Sequence, residues 1–319
     1  LIVSDPSIIM IAKEVAPDME LHLSTQASNT NYKSAEFWYK LGIKRIVLAR
    51  ELSFDEIRET IAKSPSGLDF EIFIHGAMCM SYSGRCLLSN YMVGRDANRG
   101  ECAQPCRYKY YLVEEKRPGQ YMPVDEDERG TYIFNSRDLC MIGHIPELVN
   151  SGAVSLKIEG RMKSSYYIAS VVRAYRKAID SYMNNPDSYV FKQEWMDELS
   201  KASHREFGTG FYFGRPDASG QIYSSSAYLR DYVFLGMVLD YDSIAGIATI
   251  EQRNKMVIGD EIEVIGPEIE MFTQKIEMMW NEEGDEIDSA PHPQQILKMK
   301  MKNPVYKFGI LRRERRDNE

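Results

Sequence analysis

Short apolar runs rich in β-branched residues recur along the first part of the chain, each followed by residues with helical spacing. LIVSD precedes a helical pattern near residues 6–15, ELHLSTQ one near 30–41, and IKRIVLARE one near 53–63. FEIFIHG leads into a cysteine-bearing segment, TYIFNSRDL into a helical pattern near 138–150, and VSLKIEGR into a long one near 164–183. Ser53 and Glu56 have the spacing of a capping box, and Asn29 stands where it can cap the turn before the second helix. Apolar strands separated by helices predict a parallel sheet covered on both faces. Six such units are complete by residue 183, two short of a closed eight-stranded barrel. The expected fold is α/β: a (β/α) barrel lacking its first strands, which would lie before Leu1, with an open doubly wound sheet as the alternative. The polarity of the strand ends favours the barrel: Ser24, Thr25 and Gln26; Arg50 and Glu51; His75; Asn135, Ser136, Arg137 and Asp138; Lys157, Glu159 and Arg161. In a parallel barrel these ends gather on the face where barrel enzymes carry out their chemistry.

After about residue 203 the period changes. YVFLGMVLDYD, IAGIATIEQ, MVIGDEIEVIG, MFTQKIEMMW, ILKMKMK and YKFGILRR alternate apolar and polar positions between Gly, Pro, Asn and Asp turns, the pattern of a small all-β barrel. The expected division is a barrel catalytic domain over 1–202, carrying a cysteine loop at 75–110, and a linker with a small β-barrel domain over 203–319. The acidic run VDEDERG at 124–130 is expected to be a solvated loop.

Composition narrows the class. A chain of 319 residues, 44% hydrophobic and 27% charged, has the make-up of a globular protein with a sizeable core. No apolar run approaches the roughly 20 residues that cross a bilayer, and the N-terminus has no cleavable leader pattern, so a cytoplasmic location is expected. The net charge of −8 excludes a surface uniformly suited to phosphates but leaves room for a local basic face.

Four of the five cysteines fall within HGAMCMSYSGRCLLSNYMVGRDANRGECAQPCR, residues 75–107, and the fifth is Cys140. Cys79 and Cys86 are separated by six residues, Cys86 and Cys102 by fifteen, and Cys102 and Cys106 by three. An odd count in a chain of this size does not suggest disulfide staples. Tight Cys-x-x-Cys knuckles of the usual zinc sites are missing. The segment is rich in Gly, Arg, Ser and Asn, which suits a loop at a strand end. Free buried cysteines remain one reading, and thiolate ligation of an iron–sulfur cluster is the other.

The stretch EIFIHGAMCMSYSGRCLLSNYMVGRDANRGECAQPCRY resembles the signature of the collagenase-like U-thirty-two peptidase family. The similarity extends through LIVSDP, STQASNTNY, GIKRIVLARELS, NSRDLCMI, LKIEGRMKSSYYIASVVRAYRKAID and MVIGDEIEVIGP, covering essentially the whole chain. The resemblance implies a β/α barrel with a C-terminal β domain. It is strongest to the branch of prephenate-dependent tRNA uridine hydroxylases, which implies hydroxylation of a wobble uridine, a [4Fe–4S] cluster, prephenate as co-substrate, tRNA as substrate and a possible paralogous partner subunit. Other branches act on ribosomal RNA or quinone precursors. The implied cluster ligands are Cys79, Cys86, Cys102 and Cys140, the last through the motif matched by Asn135 to Cys140, with Cys106 in reserve.

Guanidinium forks suit a dicarboxylate donor. Arg50, Arg137, Lys157 and Arg161 are the candidates, each with an internal ion pair to Glu51, Asp138 or Glu159 as the alternative. His75, Glu51 and Arg50 are the candidate catalytic groups. Tyr82, Arg85, Tyr91, Arg95, Arg99, Arg107, Tyr108 and Lys109 interleave basic and aromatic side chains, which suits phosphate contacts and base stacking; Tyr91, Arg95 and Arg99 are the chosen RNA-binding residues. Two other classes compete: a peptidase, although no G-x-S-x-G or H-E-x-x-H motif occurs, and a non-catalytic RNA-binding subunit.

Overall fold

The computed structural model of the chain describes residues 1–79, 81–108, 111–112, 122–123, 136–216, 229–267 and 269–316. The expected acidic loop at 124–130, the TYIFN start of the fifth strand and Lys109 lie outside these residues. Two units emerge, the first of residues 1–162, 181–191 and 205–228, the second of 163–180, 192–204 and 229–319.

In the first unit, strand and helix alternate as the apolar pattern requires. Strand β1 (Ile2–Val3) is followed by α1 (Pro6–Val15), β2 (His22–Leu23) by α2 (Tyr32–Lys40), and β3 (Arg45–Val47) by α3 (Phe54–Lys63). Strand β4 (Asp69–Gly76) leads to the cysteine loop, which carries the short helix α4 (Leu88–Val93), and β5 (Tyr111–Leu112) and β6 (Met122–Pro123) form a separate ladder. Then come β7 (Asp138–Cys140), α5 (Ile145–Val149), β8 (Ser155–Ile158) and, late in the chain, β9 (Phe207–Gly208).

Local chemistry explains the helix starts. Ser53 and Glu56 form both halves of the capping box. The second helix is capped by Asn31, whose side chain accepts from Ser34 N, rather than by Asn29, which instead donates to the Asn31 carbonyl. The expected cap was therefore two residues early.

Strands β1, β2, β3, β4 and β8 pair in parallel in that order. The strand expected from TYIFNSRDL departs from this plan: β7 runs antiparallel to β4, with His75 opposite Cys140, and β9 pairs with β7. The expected parallel series thus has one member fewer, because the cysteine loop and β7 form an insertion between β4 and β8. Among the described residues the ladders run from β1 without closing on themselves. Leu23, Ile43, Ile46, Leu48, Ile57, Phe70, Ile72 and Ile74 are fully buried, each contributing about 1.5–3 kcal/mol of apolar transfer. The segment read from sequence as a linker also belongs to this unit: Tyr212 donates to the Phe73 carbonyl, and its own carbonyl accepts from Phe54 N.

The second unit holds residues up to Asp180 of α6 (Ser165–Asn184), α7 (Gln193–Ser200) and an antiparallel β domain. Its strands are β10 (Tyr232–Asp242), β11 (Ile247–Gln252), β12 (Met256–Val257), β13 (Glu261–Gly266), β14 (Ile269–Lys275), β15 (Met279–Trp280), β16 (Ser289–Ala290), β17 (Ile296–Lys300) and β18 (Ile310–Glu314). The main sheet has the order β14-β13-β18-β10-β11-β17-β15. Alternation along β11 and β17 puts Ala248, Ile250, Leu297 and Met299 into one core with Leu235, Val238, Val264 and Leu311.

Charge is also buried in this unit. The Arg312 side chain has no exposed surface, donating from Nη1 and Nη2 to the two Glu198 oxygens at 2.8 and 2.7 Å and from Nε to Glu263 at 2.8 Å. Lys201 Nζ donates to both Glu263 oxygens at 2.8 Å. Burial alone would raise the Glu263 pKa, but the Lys201 and Arg312 bonds and charges outweigh it and hold the carboxyl below its ordinary value.

Candidate functional site

Strand β4 ends at Gly76, whose φ of +112° and contact with the Glu159 carbonyl leave no room for a Cβ. Beyond it the cysteine loop is fastened by the polar ends of neighbouring strands. Glu51, just past β3, accepts from Ser83 N at 2.6 Å and from Ser83 Oγ at 3.2 Å. Gln26, just past β2, donates to the Ala97 carbonyl at 2.6 Å. Gly84, at φ +75°, lies so close to the Gln26 backbone that any side chain would collide with it. Glu159, following β8, accepts from Ala77 N at 3.4 Å and Arg161 N at 3.2 Å.

These ties form a cavity of about 240 Å³ lined by Cys79, Cys86, Cys102 and Cys106 together with Thr25, Gln26, Arg50, Tyr82, Glu159 and Arg161. Four of the five cysteines therefore line one cavity although they span a long loop. Arg50 Nη1 donates to Cys79 Sγ at 3.2 Å, and Gln104 N donates to Cys102 Sγ at 3.3 Å. Cys140 is buried on β7 and is not among the cavity-lining residues. Soft thiols with N–H donors directed at two sulfurs form a donor set of the kind that holds iron–sulfur groups. Among the described residues, no three His, Cys, Asp or Glu side chains stand close enough to ligate an ion as arranged.

The other candidates divide. Arg50 and Arg161 line the cavity. Lys157 is engaged by Glu71 at 2.6 Å and Arg137 by Glu206 at 3.0 Å, so both form internal ion pairs, but with other carboxylates than Glu51, Asp138 or Glu159. Glu51 is occupied by Ser83, an anchoring contact. His75 is 1% exposed, its ring 5.5 Å from that of Phe207, and it does not line the cavity. Tyr91, 87% exposed on α4, shares the loop with exposed Arg95 and Arg99 and with exposed Tyr82, Arg85 and Tyr108. Arg99 lies 3.6 Å from Asp96.

Glu71 was missed from sequence. It is buried on β4, where it accepts from Lys157 and from Ser155 at 2.7 Å. Burial would raise its pKa, but those bonds, with the charges of Lys157 and Arg45, hold it below the ordinary glutamate value. The available signal was a carboxylate inside the apolar run FEIFIHG, which calls for a buried partner.

Residues 1–222 match the model of peptidase family U32, and residues 230–312 match that of the family's C-terminal domain. The chain belongs to peptidase family U32. It is 45% identical to tRNA hydroxylation protein P1 of Bacillus subtilis (strain 168), over 98% of this chain and 74% of that protein. It is 36% identical to tRNA hydroxylation protein P of Escherichia coli (strain K12), over 91% and 72%. A protein named collagenase from Porphyromonas gingivalis is 34% identical over 83% of this chain and 64% of its own length. U32 membership therefore spans two named chemistries, and residues must choose between them.

Proposed function

We propose that this U32 protein is a tRNA-modifying enzyme that hydroxylates a wobble uridine with prephenate as co-substrate and a [4Fe–4S] cluster as cofactor. The observation that carries the reading is the cavity lined by four cysteines beside Arg50 and Arg161. The names of the Bacillus and Escherichia relatives supply the substrate class. Cys79, Cys86, Cys102 and Cys140 would hold the cluster, which supplies redox chemistry when bound. Cys106 lining the cavity favours a second ligand set in which it replaces Cys140. Arg50 and Arg161 would receive the carboxylates of the donor, and Tyr91, Arg95 and Arg99 would meet the anticodon loop. The parallel order β1-β2-β3-β4-β8, with polar strand ends converging on one loop, supports a (β/α) barrel. A cytoplasmic location and a paralogous partner subunit complete the reading.

The peptidase alternative needs a nucleophile beside a base or a water-activating metal. Cysteines line the cavity, yet none of the five histidines does. His22 and His144 face Glu20 and Glu147, and His204 faces the Ala202 carbonyl. A non-catalytic RNA-binding subunit would bind tRNA without altering it.

Iron and sulfide analysis of anaerobically purified protein, followed by incubation with unmodified tRNA and prephenate, tests the proposal. The expected result is a cluster and a nucleoside that has gained one oxygen, with both lost in Cys79→Ser, Cys86→Ser and Cys102→Ser. Loss in Cys106→Ser but not Cys140→Ser selects the second ligand set. Peptide cleavage by metal-free protein without tRNA product would sink the hydroxylase reading.

A further inference from the structure

We propose that Arg50 sets the reduction potential of the metal group held at Cys79, acting through the hydrogen bond its guanidinium donates to the sulfur. The inference rests on the cluster reading above and concerns how this chain tunes the group.

Arg50 is fixed on two sides. Its Nη1 lies 3.2 Å from Cys79 Sγ, and its Cζ lies 3.8 Å from the centroid of the Phe73 ring. Phe73 is itself immobilised: it is 5% exposed, and its carbonyl accepts the Tyr212 hydroxyl. Glu159, which lines the same cavity, accepts from Ala77 N and Arg161 N. Glu51 is held by Ser83, and Glu71 by Lys157 and Ser155. Among the described residues Arg50 forms no ion pair, so no carboxylate competes with Cys79 for its guanidinium. Lys157 Nζ is 5.8 Å from the same ring, but Glu71 neutralises it.

Reducing an iron–sulfur group adds negative charge that spreads onto its sulfurs. A cation with an N–H bonded to one of those sulfurs favours the reduced state and raises the potential. The Gln104 N–H on Cys102 acts in the same direction, but it belongs to the backbone and persists through side-chain substitution. Through its bond to Cys79, Arg50 is therefore a tuning residue, a role separate from the contact with the donor carboxylates proposed above.

The test is a redox titration of anaerobically loaded protein followed by visible absorption and electron paramagnetic resonance, without tRNA or prephenate. Each molecule takes one electron from dithionite, and no protein bond is broken. Arg50→Gln should lower the reduction equilibrium constant at least tenfold, which is 59 mV for a one-electron couple. Arg50→Lys should lower it less, because the charge remains while the fork and the stacking on Phe73 are lost. Arg58→Gln removes a cation that pairs with Asp55 on α3 and should leave the potential unchanged. Wild-type protein that holds no iron or sulfide would end the cluster reading itself. Loaded Arg50 variants with the wild-type potential would overturn this inference while leaving that reading intact. Failure of both variants to load, with unchanged thermal unfolding, would assign Arg50 to metal retention and also overturn it.

Discussion

The second unit and the cysteine loop use charge in opposite ways. Around Arg312, cations and carboxylates close on one another: Glu198 and Glu263 take up the whole guanidinium, and Lys201 completes Glu263. Around the cavity, carboxylates such as Glu51 and Glu159 bond to loop backbone, while Arg50 directs a donor at sulfur. The first arrangement commits its charged groups to one another and serves the fold. The second holds a loop around a cavity lined by thiols and cations, as a binding site requires.

If the contrast holds, the largest stability loss should come from Arg312→Ala. It takes the bidentate partner from buried Glu198 and one donor from half-buried Glu263, which keeps Lys201, and should cost about 3–5 kcal/mol in denaturant unfolding. A cost below 1 kcal/mol would mean that water reaches the network. Glu51→Ala should cost about 2 kcal/mol at most, because it removes charge-assisted bonds to Ser83 at one loop only. Its clearer signature should be faster proteolysis within 81–108, and a loop equally protected in the variant would show that Glu51 is not its anchor.

Acid should act more gently on both regions, since protonation leaves Glu263 and Glu71 in place. Both carboxyls are held below their ordinary values, so their contribution is present in full above the ordinary glutamate range and is lost as pH falls through the lowered folded values. Glu263→Gln should therefore lower stability at neutral pH and flatten its fall in acid, as read from urea midpoints across pH. A variant with the wild-type acid slope would remove Glu263 from the titration. The smallest stability effect should follow Arg95→Ala with Arg99→Ala. Both side chains are exposed, so unfolding should not move, while tRNA affinity and its salt dependence should fall together. Unchanged affinity would take this loop out of RNA binding.

Much of the architecture could be read along the chain. The helices over 6–15, 54–63 and 165–184 fall within a residue of where their periodicity put them, and Ser53 with Glu56 caps as its spacing predicts. The alternating strands after residue 230 also fold as strands. Misreadings arose where a local signal had competitors: Asn29 and Asn31 are both cap residues, and three residues at 138–140 carry too little pattern to reveal their direction. For the site, the clustering of cysteines and polar strand ends was visible, but the engagement of Lys157, Arg137 and Glu51 was not.

By itself the sequence determined which segments are helix or strand, the change from a parallel to an antiparallel region, and a cysteine-bearing loop at a strand end, because propensity, capping and apolar period act over a few residues. Only the tertiary structure decided that β7 runs antiparallel, that Arg312 meets Glu198 across 114 residues, and that Arg50 rather than Lys157 meets Cys79. Those outcomes depend on which side chains long-range packing brings within about 3 Å, where a hydrogen bond forms, and spacing along the chain does not encode that distance.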